Sequence, residues 1–140
     1  MIRTLVAGLG TMGRSHALAY ASNPAFEIVG LVNRSPVALP KPLSPYPVLP
    51  DFMTALRETK PDLACVATYT DSHADFAVAA MEQGAHVFVE KPLAATVADA
   101  QRVVDCAVAN GRKLVVGYIL RHHPSWTRLI AEARALGGPY

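Results

Sequence analysis

An α/β fold, built as a doubly wound and mostly parallel sheet with helices on both faces, follows from three observations. Apolar runs of strand length alternate with segments of helical periodicity along the whole chain. Those runs are almost continuously apolar, as strands covered on two sides must be. The chain also opens on an apolar run, a glycine-rich turn and a helical segment, which is the start of a βαβ unit. With 140 residues, 51% of them hydrophobic, one substantial core can be buried, and two ordinary domains cannot.

The first strand, Ile2 to Ala7, runs into Gly8-Leu9-Gly10-Thr11-Met12-Gly13 and then a helix through Arg14 to Ala21. Glycines in this G-x-G-x-x-G spacing serve a tight turn, close approach of a pyrophosphate to bare backbone, and close packing of helix on strand. The helix start adds unpaired N–H groups and the positive end of a dipole. An ordinary strand-to-helix connection can carry the same glycines. A second apolar run, Phe26 to Val32, lies at the spacing of one βαβ unit and favours a Rossmann-type phosphate site on Gly8, Gly10, Thr11, Met12 and Gly13. Arg3, the apolar stretch and Ala19-Tyr20-Ala21 superficially resemble a secretory signal. The glycines weaken that apolar stretch, and Arg14, Ser15 and His16 separate it from the cleavage site. No apolar run reaches the roughly 18 residues of a membrane span, so the expectation is a cytoplasmic protein with no membrane partner.

Twenty residues beyond Gly13, where NAD-binding folds place an acidic residue on the ribose 2′-hydroxyl, stands Asn33. Without a carboxylate to repel a 2′-phosphate, and with Arg34 and Ser35 following, the site favours NADP. Asn33 can also bond a 2′-hydroxyl, which keeps NAD open, and Asn33-Arg34 can equally begin a solvated loop. From Ser35 to Pro50, prolines at 36, 40, 42, 45, 47 and 50 predict an extended loop with a short edge strand near Val48.

Asp51 caps a short helix, and Leu63 to Ala67 reads as a buried strand. Ser72 with Asp75 and Thr96 with Asp99 have capping-box spacing at the starts of helices over Ser72–Gln83 and Val97–Asn110. Gly84 and Gly111 suit their ends. Val97, Ala100, Val103, Val104, Ala107 and Val108 form one apolar face of the later helix. His86 to Val89 and Leu114 to Tyr118 supply the last strands. After Arg121-His122-His123-Pro124, a helix carries Trp126, Leu129, Ile130 and Ala133 on one side and stops at Gly137, Gly138 and Pro139.

A formal charge of +2, with 17% charged residues, provides no basic patch for nucleic acid. Cys65 and Cys106 lie apart in apolar segments and read as buried free thiols, which suits a reducing compartment. His73 has no metal-like partner at helical spacing, so no metal is expected and a capping or packing role suits it better than a catalytic one.

Val87-Phe88-Val89-Glu90-Lys91-Pro92 ends a strand with a charged pair at the carboxyl edge of the sheet, where open α/β folds bind ligands. A surface ion pair would look the same in isolation. Together with the glycine motif, Thr68 and His73, Gly84-Ala85-His86-Val87, and Gly117-Tyr118 with Arg121 and Pro124, it resembles the glucose-fructose oxidoreductase and inositol dehydrogenase family (Gfo/Idh/MocA) over essentially the whole chain. The resemblance implies that Lys91 contacts the reacting hydroxyl or carbonyl beside the nicotinamide and passes a proton during hydride transfer. It also implies that Glu90 binds or orients cofactor groups, or packs on a neighbouring loop. Thr68, Tyr69 and His73 would then lie near the nicotinamide ribose and pyrophosphate, although Tyr69-Thr70-Asp71 stands where the family often has proline and asparagine. Arg121 could reach substrate or cofactor, or form a domain-interface ion pair.

The same resemblance implies a Rossmann domain over residues 1–120. Residues 121–140 would be a connecting helix and the start of the family's C-terminal α/β substrate domain, the rest of which is expected to be missing. The substrate expected of the complete enzyme is a sugar, polyol or related carbonyl compound, and a homo-oligomer is open. The alternatives are a non-catalytic dinucleotide-binding or sensing module, or a folded fragment without activity. Because the substrate wall is absent from this chain, it should give little or no turnover by itself, measured as NADPH oxidation with sugars, polyols and small carbonyls.

Overall fold

Strands and helices alternate along the computed structural model, which describes residues 1–137. The strands are β1 (Ile2–Ala7), β2 (Phe26–Val32), β3 (Val48–Leu49), β4 (Leu63–Val66), β5 (His86–Val89) and β6 (Leu114–Val116). The α-helices are α1 (Thr11–Ser22), α2 (Phe52–Thr59), α3 (His73–Glu82), α4 (Val97–Ala109) and α5 (Pro124–Ala135). All strand pairs are parallel, in the order β3-β2-β1-β4-β5-β6. This is the doubly wound Rossmann arrangement, with the reversal of strand order between β1 and β4.

Period-two alternation splits the apolar strands between two cores. Leu5, Ala7, Ala64, Val66, Val87 and Val89 face α2, α3 and α4, where Leu56, Ala77, Met81 and Val103 are fully buried. Phe52 and Phe76 stack there with ring centroids 4.2 Å apart. The alanines of α3 let it lie close to the sheet. Val6, Leu31 and Cys65 face the opposite side, covered by α1 through Ala17 and by the proline-rich segment through Leu43.

The short edge strand near Val48 is present, and the preceding loop also forms a 3-10 turn over Lys41–Leu43. Asp51 caps α2 by accepting from the Thr54 amide at 2.7 Å. Thr96 caps α4, accepting from the Asp99 amide and donating to its carboxylate. The expected Ser72–Asp75 box does not form. Ser72 instead donates its hydroxyl to the Tyr69 carbonyl within a 3-10 turn, so its oxygen is not presented to the helix amides. The apolar face expected on α4 is only half covered: Val103 and Ala107 are buried, whereas Val97 and Val108 lie on the solvent side. In α5, Trp126, Leu129 and Ile130 are exposed and no side chain is buried. Gly137 has the positive φ of a helix stop, while Gly138 and Pro139 lie outside the described residues. Among the described residues no helix is long and apolar enough to cross a membrane.

Leu56→Ala would open a cavity between α2 and the sheet, and should cost about 3 kcal/mol of stability, read as a lower urea midpoint. Acid should act on the helix caps. Hydrogen bonds from the Thr54 side chain and amide lower the Asp51 carboxyl below its ordinary range, and the Thr96 hydroxyl followed by Arg102 lowers that of Asp99. A carboxyl depressed by folding contributes fully above its unfolded value and loses that contribution as pH falls through its folded one. Thermal melts from about pH 5 downward should therefore fall less steeply in Asp51→Asn than in the parent chain.

Candidate functional site

The reversal of strand order brings the carboxyl ends of β1 and β4 side by side, and the turn after β1 fits there because Gly8 and Gly13 carry no Cβ. Gly8 has φ +88°, and a Cβ on it would lie 2.4 Å from the Ala67 carbonyl oxygen. A Cβ on Gly13 would lie 1.7 Å from the Gly8 oxygen, so α1 starts directly over the turn. At Gly10 a Cβ would meet nothing within 4 Å. Gly8 and Gly13 thus serve packing, whereas Gly10 presents bare backbone to open space. The first turn of α1 has neither a side-chain cap nor an acidic residue. Its leading N–H groups, with the positive dipole end, are therefore free to bind an anion.

That space is a cleft of about 310 Å³ lined by Gly10, Thr11, Met12, Ala67, Thr68, Tyr69, Thr70, His73, Glu90 and Lys91. A larger depression of about 490 Å³ lies between the later half of α1 and Pro42 and Tyr46. It has no charged lining group, and chemistry favours the smaller cleft. One wall is the loop after β4, where Thr68 and Ser72 hydroxyls lie 2.7 Å apart and Tyr69 projects into solvent. His73, fully buried, joins this wall to the next: one ring nitrogen is 2.8 Å from the Pro92 carbonyl oxygen and the other 3.1 Å from that of Thr68. Glu90 and Lys91 follow β5 on the opposite wall, with Glu90 buried and Lys91 exposed.

The remaining expected residues lie outside the cleft lining. Asn33 accepts from the Leu9 amide at 3.0 Å and donates to the Ser35 carbonyl at 2.7 Å, tying the glycine turn to the end of β2. Arg34 and Ser35 are exposed just beyond it. Arg121 sits with its guanidinium 5.8 Å from the Tyr118 ring centroid.

Sequence reasoning passed over Arg14 and His16. Arg14 Nε donates to the Leu9 carbonyl at 2.8 Å and braces the turn from the helix side. His16 Nε2 lies 2.7 Å from Glu90 Oε1, joining α1 to the end of β5. The available signal was a polar residue three positions after Gly13, on the side of α1 that Gly13 turns inward. Cys65 is buried on the same side, and burial pushes its thiol up to about 12, so it stays protonated and unreactive. Cys106 is only partly buried, contrary to expectation, and donates to the Val78 carbonyl. Among the described residues no group of His, Cys, Asp and Glu is arranged to hold a metal ion. Bare backbone at Gly10, free helix amides and an ammonium at one rim fit a pyrophosphate-bearing dinucleotide.

Comparison with known proteins agrees with this geometry. Residues 2–118 match the model of an oxidoreductase family with an NAD-binding Rossmann fold. An inositol 2-dehydrogenase of Salmonella paratyphi B is 29% identical over 142 residues, covering 96% of this chain and 42% of that protein. A 4-carboxy-2-hydroxymuconate-6-semialdehyde dehydrogenase of a Sphingobium species is 32% identical, covering 89% of this chain and 40% of that protein. The crystal structure of a UDP-N-acetylglucosamine 3-dehydrogenase from Acidithiobacillus ferrooxidans superposes with a TM-score of 0.80 at 27% identity, over 94% of this chain and 43% of that one. The chain thus spans about two fifths of the length of these relatives.

The glycines should separate by experiment. Gly13→Ala forces a Cβ into the Gly8 carbonyl and should cost more than about 3 kcal/mol, seen as loss of the cooperative melt. Gly10→Val should leave the melt nearly unchanged and weaken nicotinamide dinucleotide binding about tenfold or more in a fluorescence titration.

Proposed function

The chain belongs to the Gfo/Idh/MocA oxidoreductase family with an NAD-binding Rossmann fold, and from that premise we propose that it is the cofactor-binding part of an NAD(P)-dependent dehydrogenase, with NADP preferred, acting on a sugar, polyol or related carbonyl compound. The observation that carries this reading is the meeting of Lys91 with the bare glycine turn and the free amides of α1 in one cleft. In the proposed arrangement Gly10, Thr11 and Met12 hold the pyrophosphate by backbone N–H groups. Thr68, Tyr69 and His73 border the nicotinamide ribose. Bound nicotinamide supplies or accepts the hydride. Lys91 donates a proton to the carbonyl oxygen on reduction and receives it from the hydroxyl on oxidation, a role open to an ammonium at the rim of the cleft. The dehydrogenase names of the relatives, two of them for a polyol or a sugar nucleotide, support the substrate class.

NADP preference is supported by the end of β2. Asn33 spends its carboxamide on the Leu9 amide and the Ser35 carbonyl, so no carboxylate opposes a 2′-phosphate there. Arg34 and Ser35 are exposed beside it to receive one. Residues 1–120 act as the dinucleotide unit in this reading, and 121–140 as a connecting helix toward a substrate domain, with Arg121 near that junction. Two free cysteines are consistent with a cytoplasmic setting. A homo-oligomer is compatible with the exposed apolar side of α5.

Calorimetric titration with NADPH and NADH tests the reading. NADPH should bind about tenfold or more tightly than NADH, and Arg34→Asp should abolish that difference. Equal affinities that Arg34→Asp leaves unchanged would remove the NADP preference, and no binding of either nucleotide would overturn the cofactor role.

A further inference from the structure

Glu90 is an acid placed directly before the lysine on which the proposed chemistry depends, and its carboxylate is buried. A free carboxylate beside Lys91 would pair with the ammonium and hold its proton in place. The structure gives Glu90 another seat. Oε1 lies 2.7 Å from His16 Nε2, and Oε2 accepts from the Lys91 backbone amide at 3.2 Å. Gly117 closes the third side: a Cβ there would come within 3.1 Å of Oε1, a tight contact, so the glycine leaves the carboxylate room at this seat. The imidazole is itself held by the edge of Phe88, with ring centroids 4.8 Å apart. The Glu90 backbone is fixed by its amide, which donates to the Val66 carbonyl at 2.8 Å. Among the described residues no carboxylate lies within ion-pair distance of the Lys91 ammonium.

We propose that His16 is a positioning residue for Lys91: by binding Glu90 Oε1 it holds the carboxylate against the Lys91 backbone and keeps it from the Lys91 ammonium. His16 reaches the site through Glu90 and touches no reacting atom. The ammonium is thereby left to the substrate oxygen. The assignment rests on the reading of Lys91 as the proton-transfer residue. It also explains why a polar ring occupies the inward side of α1, where Ala17 and its neighbours pack against the sheet. The other groups near this side of the sheet are Cys65, whose buried thiol is uncharged, and the Tyr20 phenol, which burial also keeps protonated.

Trace acylation of lysines with acetic anhydride, quantified by mass spectrometry at Lys91 and at Lys41, Lys60 and Lys113 as internal references, tests the proposal on this chain without nucleotide. His16→Leu should slow acylation of Lys91 about fivefold relative to the other three, because a freed Glu90 carboxylate protects the ammonium. His16→Gln, which keeps an N–H donor for Glu90, should react like the parent chain. Adding Glu90→Gln to His16→Leu should restore the parent rate. An unchanged Lys91 rate in His16→Leu, an equal change at all four lysines, or failure of Glu90→Gln to restore the rate would overturn the proposal. If His16→Leu loses its cooperative melt, His16→Phe decides. It keeps a ring against Phe88 but offers Glu90 no hydrogen-bond partner, and should slow Lys91 selectively; an unchanged rate would overturn the proposal. Failure of the parent chain to bind NADPH or NADH would defeat the cofactor reading while leaving the labelling result to judge His16.

Discussion

No side chain fits between the carboxyl ends of β1 and β4, and the rest of the site depends on that constraint. Gly8 turns there with positive φ against the Ala67 carbonyl, and Gly13 lets α1 begin almost on top of the turn. A larger residue at Gly8 would push the turn off the Ala67 backbone, and one at Gly13 would force α1 away from the turn. Its amides would then leave the cleft, and His16 would lose its reach to Glu90. One steric condition therefore sets both the place of the uncapped helix end and the contact that holds the loop after β5.

Two histidines anchor that loop from opposite sides. His16 meets Glu90 from α1, while His73 meets the Pro92 carbonyl from the start of α3 and holds the Thr68 carbonyl with its other nitrogen. Both rings are largely shielded from water, where hydrogen bonds are stronger and the loss of a partner is more costly. Lys91 lies between these anchors with an exposed side chain on a restrained backbone.

The two faces of the sheet are covered unequally. Three helices close one side over a continuous core, whereas α1 and the proline-rich segment cover the other mainly over β2, β1 and β4. At the far edge Val115 is half exposed, and the apolar side of α5 packs against no core residue. The thick side supplies rigidity. The candidate cleft opens at the carboxyl edge of this sheet, so its walls are loops held by strands that are themselves well buried.

Local chemistry made the fold legible in the sequence. Apolar runs and their spacing determined the strands, the Thr96 and Asp51 caps determined two helix starts, and the glycine spacing with Glu90-Lys91-Pro92 marked the cleft, because each signal acts over a few neighbouring residues. The Ser72 cap failed because a 3-10 turn claimed its hydroxyl first, and periodicity could not tell which half of the α4 apolar stripe would meet the sheet. Only tertiary structure decided that Asn33 spends its carboxamide on the glycine turn and that His16 meets Glu90. These pairs are separated by 24 and 74 residues in sequence, and their distance in space is set by the order of strands in the sheet, which no local pattern encodes.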